Sequence, residues 1–221
     1  MPFVDLSHVV THGMTTYPGL PGPQLSEHMS FAASRERYAE GTEFRIGAIW
    51  LVANTGTYLD TPAHRFPDGH DLADLPLERC ADLPVVVLDS PGPAIDADLL
   101  AAMDVQGAAV LFRTRWDRHW GTARYGDADH PYLTADAARA LVDGGAALVG
   151  IDSVNIDATV GGERPVHTAL LAAGIPVVEH LTRLGSVPGV GARFSAVPVP
   201  VQGMGTFPVR AYAIYPPGQP E

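Results

Sequence analysis

The chain has 221 residues and a formal net charge of −11, with 46% hydrophobic and 18% charged residues. Its 14 Lys and Arg are dispersed, which argues against a nucleic-acid or anionic-membrane partner. No apolar run approaches the roughly 20 residues needed to span a bilayer. The single Cys80 excludes an internal disulfide framework and any cysteine-based zinc cluster. The start "MPFVDLSHVV" lacks the basic head and apolar core of a signal peptide, so a soluble, reduced, cytoplasmic protein is expected.

In chain order, "FVDLSHVV" reads as an edge strand and "TTYPGLPGPQLSEH" as a Pro/Gly loop. "FRIGAIWLVAN" and "LPVVVLD" are rich in β-branched residues and read as strands. "DADLLAAMD" has a short helical pattern, and "AAVLFRT" reads as a buried strand. "TADAARALVDGGA" predicts a helix capped by Thr134 and closed at Gly144. After the strand "ALVGID", the segment "RPVHTALLAAGI" has Pro165 just inside a helix start and Gly174 just past its end. "PVVEHL" predicts another strand, and "FSAVPVPV" with "PVRAYAIY" a closing antiparallel pair. Strand–helix alternation between β-rich ends implies a mixed α/β fold, and no linker divides residues 1–221 into separate domains.

The stretch "NTGTYLDTPAHRF" carries the densest chemistry. Asp60 and His64 stand four residues apart, with Pro62 stiffening the turn between them. The ordinary alternative is an Asp closing a turn and a solvated His. The chemical reading is a carboxylate metal ligand followed by a general acid or base, since His titrates nearest neutral pH. Downstream, His167 falls near the start of a predicted helix and Glu179 ends an apolar strand. Taken singly, each reads as a surface residue. However, open α/β sheets place ligand groups at the ends of buried strands. Asp, His and Glu together form an N,O donor set suited to zinc or manganese. His8 reads as a strand-end polar group, and His180 shows no partner by spacing. Of Asp152 and Asp157, one is expected to cap a helix or turn. "RTRWDRHW", with Trp116, reads as a loop rimming a pocket or an interface. A Gly-x-Ser-x-Gly elbow, a Gly-x-Gly-x-x-Gly loop and a phosphate-binding Gly-Lys-Thr/Ser are all absent from the sequence.

Taken together, these stretches resemble the cyclase family that contains bacterial kynurenine formamidase and isatin hydrolase. "DLSHVVTHGMTTYPGLPGP" resembles the family's opening and "TGTYLDTPAHRF" its signature, of the form His-x-Gly-Thr-His-x-Asp-x-Pro-x-His. "HPYLTADAARALVDGGAALVGIDSVNID", "HTALLAAGIPVVEHLTRL" and "FSAVPVPVQGMGTFPVRAYAIY" resemble its middle and end. The resemblance implies a swivelling β/β/α-type fold, a homo-oligomer (dimer or tetramer) and metal-assisted hydrolysis of a small amide, formamide or lactam. It places Asp60, His167 and Glu179 as metal ligands. Where the family has its first two signature histidines, this sequence has Asn54 and Tyr58. Amide oxygen is a weak ligand, and a phenol with pKa near ~10 seldom binds zinc unless deprotonated.

Three functions follow. One is hydrolysis with at most one zinc or manganese ion. Another is metal-free cyclisation or dehydration in secondary metabolism, with Tyr58, His64 and Glu179 doing acid–base work. The third is a non-catalytic homologue that only binds a small molecule. Asn54 and Trp116 are the candidate substrate contacts.

Overall fold

In the computed structural model, residues 1–90, 92–189 and 191–216 are described. The last five residues of the expected 1–221 domain, with positions 91 and 190, lie outside them. The molecule is organised on a nine-stranded mixed sheet.

Its centre is parallel: β5 (Leu83–Asp89), β7 (Ala109–Arg113), β9 (Leu148–Ile151) and β10 (Val177–Glu179). β7, β9 and β10 are almost wholly buried and nearly uninterrupted in apolar character, as expected for strands covered on both faces. Antiparallel strands extend both ends of this core. On one side β11 (Arg193–Ser195) joins β5, followed by β13 (Tyr212–Ile214) and the edge strand β1 (Phe3–Asp5). On the other, β4 (Tyr58–Asp60) joins β10, and β12 (Thr206–Pro208) joins β4. A two-stranded parallel pair, β6 (Ala94–Ile95) and β8 (Tyr132–Leu133), lies outside the main sheet.

Period-2 alternation splits the interior into two cores. Leu111, Leu148, Val178 and Phe194 pack on one face with Leu59 and Val4. Val110, Phe112, Val149, Ile151 and Val177 pack on the other, under α2 (Ala135–Asp143) and α3 (Pro165–Ala172). α2 begins as its sequence predicts, with the Thr134 hydroxyl accepting from Ala137 N–H. α3 starts at Pro165, and the chain leaves it through Gly174 at φ +69°. "DADLLAAMD" forms only a one-turn 3-10 segment at Ala97–Leu100.

Two expectations are corrected. The Pro/Gly stretch ends in a strand, β2 (Gln24–Met29), which pairs with β3 (Ile46–Trp50) in a projecting hairpin linked through the short α1 (Phe31–Arg35). β3 is therefore outside the core sheet. Its every residue is exposed, because β-branched composition marks extended backbone without marking burial. The closing antiparallel pair exists as β11–β13, but β12 intervenes in sequence and goes to the opposite end of the sheet.

His130 is fully buried, with Nδ1–H donating to the Pro131 carbonyl at 3.0 Å and Nε2 against the Thr159 hydroxyl at 3.2 Å. Burial holds its pKa below the usual value, with Asp129 opposing and Arg164 assisting. The unfolded chain therefore takes up a proton near pH ~6.5 that the folded chain refuses, so this group's contribution is lost as pH falls through that range. Asp152, which burial raises to about 6, shifts in the other direction, so the effect must be read as a difference. Urea midpoints at about pH 7.5 and about pH 5 should show His130→Gln losing less stability on acidification than wild type. Equal losses would show that His130 is not held neutral.

Candidate active site

The register of three short strands assembles the site. Tyr58 and Asp60 lie two apart on β4 and so share a face. Across β10, Tyr58 is opposite Glu179; across β12, Asp60 is opposite Thr206. These four side chains converge beneath the N-terminal turn of α3, which supplies His167. His64 arrives from the one-turn 3-10 segment Pro62–His64 that follows β4.

Asp60 is wholly buried; Thr206 donates its hydroxyl hydrogen to Oδ1, and Oδ2 has no hydrogen-bond partner. His167 Nε2 stands 3.7 Å from that Oδ2 and 3.5 Å from Glu179 Oε1. Its other nitrogen, Nδ1, is 2.7 Å from Asp157 Oδ2. Asp157 also accepts from the backbone N–H groups of Val166 and His167. It thus caps α3, whose own N-cap residue Arg164 supplies no side-chain cap, and it orients the imidazole. A carboxylate on the far nitrogen of a histidine is the usual outer partner of a metal-binding imidazole.

Glu179 has both oxygens engaged: Tyr58 donates to Oε2 at 2.6 Å and Ile156 N–H to Oε1 at 2.6 Å. Burial, offset by His167 and reinforced by Asp60, lifts its carboxyl to about 7. Burial alone would lower His167, but Asp157, Asp60 and Glu179 outweigh it and push it up to about 10. His167 is therefore set among three buried carboxyl groups, and a metal ion there would take the place of its Nε2 proton.

Behind Tyr58 lies a second group of residues. His180, fully buried, has Nε2 at 3.3 Å from the Tyr58 hydroxyl and Nδ1 at 2.8 Å from that of Tyr125. Burial lowers its pKa to about 3, so the ring is neutral. Burial, then Glu179 and Asp60, raise the Tyr58 phenol well above its ordinary value, with a hydrogen bond from Asn54 opposing. His180 adopts a left-handed backbone, φ +57°, which lets consecutive residues 179 and 180 both reach the Tyr58 hydroxyl.

The structure thus brings Tyr58, Asp60, His64, His167 and Glu179 together. His167, whose position alone suggested the surface, is buried by α3 packing on the sheet. Trp116 is turned inward, its indole N–H donating to the Tyr125 carbonyl at 2.9 Å, so it props Tyr125. Asp152 closes the turn at Thr114 and Arg115, whose N–H groups it accepts. Thr206, Tyr125, His180 and the role of Asp157 toward His167 were not legible as site features. The polar Thr206 beside Gly205 in an apolar closing strand was the one signal available for them. A surface groove of about 700 Å³ is lined beside α3 by Arg65, Arg139 and Arg164 and by none of these converging side chains.

Asp60, His64 and His167 could together hold a metal ion. Single donor atoms of Asp60, His64 and His167 lie within 4.8 Å of one another, and Asp60 Oδ2 is an orphaned buried oxygen aimed among them.

Residues 4–158 match the family model described as "Putative cyclase". The chain belongs to this family of enzymes. It is 29% identical to a kynurenine formamidase of Salinibacter ruber over 217 residues, covering 96% of each chain. With a kynurenine formamidase of Geobacillus thermodenitrificans it shares 27% identity over 210 residues, 95% of this chain and 96% of that one. Among solved structures, an isatin hydrolase bound to the product analogue thioisatinate superposes with a TM-score of 0.81 at 24% identity, covering 97% of this chain and 92% of that one. A "potential metal-dependent hydrolase with cyclase activity" gives a TM-score of 0.76 at 25% identity, with 96% of both chains covered. These likenesses agree with the α/β class and the mixed sheet described above.

Because Asn54 and Tyr58 stand where the resemblance expects imidazoles, metal titration by calorimetry should give no more than one zinc or manganese ion per chain. Asp60→Asn should weaken that binding at least tenfold. Two tightly held ions in the wild type would mean that Asn54 or Tyr58 acts as a ligand.

Proposed function

We propose that this protein is a cyclase-family hydrolase that opens the C–N bond of a small amide, formamide or lactam, with residues 1–221 working as one domain. The relatives named as kynurenine formamidases and an isatin hydrolase support the reaction class. The observation that carries the reading is the orphaned Asp60 Oδ2 facing His167 Nε2, with His64 at the open side of the pair. Asp60 and His167, with Glu179 Oε1 nearby, would hold the single ion, which when bound supplies Lewis-acid character and a more acidic water.

The remaining work falls to side chains. His64 is about one-third exposed, at 35%, so it can exchange protons with a substrate or with solvent. The Ile156 N–H and the Tyr58 hydroxyl fix the direction of the Glu179 carboxyl beside His167. Burial of Asp60, Tyr58 and Glu179 excludes water, so charges in this cavity act at low dielectric and with little reorganisation.

A second reading, metal-free cyclisation or dehydration, draws support from Tyr58. Its hydroxyl is fixed between Glu179 and His180, an arrangement able to deliver a proton. The homo-oligomer implied by the resemblance is likewise proposed. Its support is the projecting hairpin, which exposes Leu25, Ile46, Ile49 and Trp50.

His64→Ala should lower turnover about 10²–10⁴-fold while changing fold stability by under about 1 kcal/mol, because the ring is not in the core. Unchanged turnover with the fold intact would remove His64 as the proton-transfer group. Tyr58→Phe separates the two reactions: hydrolysis should survive it, and metal-free proton delivery should not. The same change leaves Glu179 Oε2 buried without its donor, so a loss of about 1–3 kcal/mol in stability accompanies either result. Light scattering at micromolar concentration should give a mass above that of one chain; a monomer would count against the hairpin as a contact surface.

A further inference from the structure

We propose that Thr206 is a positioning residue that fixes the tautomer of His64, so that Nε2 keeps its lone pair for proton transfer. The proposal rests on His64 as the proton-transfer residue. A threonine hydroxyl has one hydrogen and two lone pairs. Thr206 Oγ1 donates that hydrogen to Asp60 Oδ1, a buried carboxylate oxygen that can only accept while ionised. The same Oγ1 lies 2.8 Å from His64 Nδ1. With its hydrogen committed to Asp60, the hydroxyl can only accept from the ring, so Nδ1 carries the proton and Nε2 does not. Asp60 cannot impose this directly, because its Oδ1 is 3.6 Å from His64 Nδ1, beyond hydrogen-bond length. The hydroxyl therefore bridges carboxylate and imidazole.

The backbone is built for this bridge. Thr206 is opposite Asp60 in the β4–β12 register, which brings its hydroxyl to the carboxylate. Reaching His64 as well requires β12 to press against the turn that carries it, and Gly205 permits that approach. A Cβ at Gly205 would lie 2.2 Å from His64 N and 2.5 Å from the Ala63 carbonyl carbon. The contact is sealed by Thr61 N–H donating to the Gly205 carbonyl at 2.7 Å. Glycine followed by a short hydroxyl residue is thus what the geometry demands. A serine could make the same two bonds, and a valine of the same shape could make neither.

The test has two arms. Without substrate, ¹⁵N NMR of histidine-labelled protein, with the His64 resonances assigned by their loss in His64→Gln, reads the tautomer of the neutral ring. Wild type and Thr206→Ser should show a protonated Nδ1 and a bare Nε2; Thr206→Val should shift the ring toward the Nε2–H form. In the second arm, on the aryl formamide or lactam that wild type turns over, Thr206→Val should lower kcat about 10–10²-fold with KM little changed, a smaller loss than removal of the base itself. Thr206→Ser should restore most of it. A wild-type ring protonated at Nε2, or a folded Thr206→Val that keeps the wild-type tautomer or kcat, overturns the proposal. If Thr206→Val does not fold, the wild-type tautomer alone decides. Loss of turnover in His64→Ala alongside either overturning result would refute the role of Thr206 and leave the function standing. Unchanged turnover in His64→Ala would instead refute the proton-transfer role of His64 on which it rests.

Discussion

Strand β4 is three residues long, and it is hydrogen-bonded on both sides, to β10 and to β12. That double pairing is the constraint on which the rest of the site depends. It sets Tyr58 against Glu179 and Asp60 against Thr206, and a slip of one residue in either pairing would turn the polar side chains into the opposite core. The opposite core is where Leu59, between them, packs with Leu111, Leu148 and Val178. The apolar residue in the middle of Tyr-Leu-Asp therefore holds the chemistry in register. Burial of Leu59 and placement of the carboxylate are two results of the same alternation.

The second organising fact is electrostatic. Asp60, Asp157 and Glu179 are each almost completely shielded from water, and His167 is the one buried imidazole they share. Burying that many carboxyl groups is costly unless each is hydrogen-bonded or balanced. Asp157 meets the requirement by capping α3 and holding His167; Glu179 meets it through Tyr58 and the Ile156 N–H. Asp60 meets it only on one oxygen. The unmatched oxygen is at the centre of the convergence, where a binding function tolerates what a folding function would not.

Asn54 and Tyr58 stand where the resemblance expects two signature histidines, and the two halves of this site differ in character. Tyr58 fills its position with a neutral phenol, made neutral by burial and by the two carboxylates beside it. Its hydroxyl binds Glu179 and is backed by His180 and Tyr125, which form a continuous buried chain of hydrogen bonds. On the other side, Asp60, His167 and His64 keep donor atoms close together. The structure thus combines a half built on a hydrogen-bonded phenol with a half in which donor atoms converge.

The sequence by itself determined the elements whose signals are local. The apolar runs of β5, β7, β9 and β10, the Thr134 cap of α2 and the Pro165–Gly174 frame of α3 all depend on neighbours within a few residues. The spacing of Asp60 and His64 and the end position of Glu179 on its strand were legible for the same reason. Tertiary structure decided the remainder. β3 has a strand's composition yet projects as an exposed hairpin, since partner choice is not written in β-propensity. Buried His167 looks like a surface residue until α3 packs on the sheet, and His180 has no sequence neighbour that predicts Tyr58 and Tyr125 as its partners. Thr206 lies 146 positions from Asp60 along the chain and bonds to it only because β12 crosses back to pair with β4. Hydrogen-bond direction and buried charge depend on contacts between distant segments, and those contacts exist only once the sheet has closed.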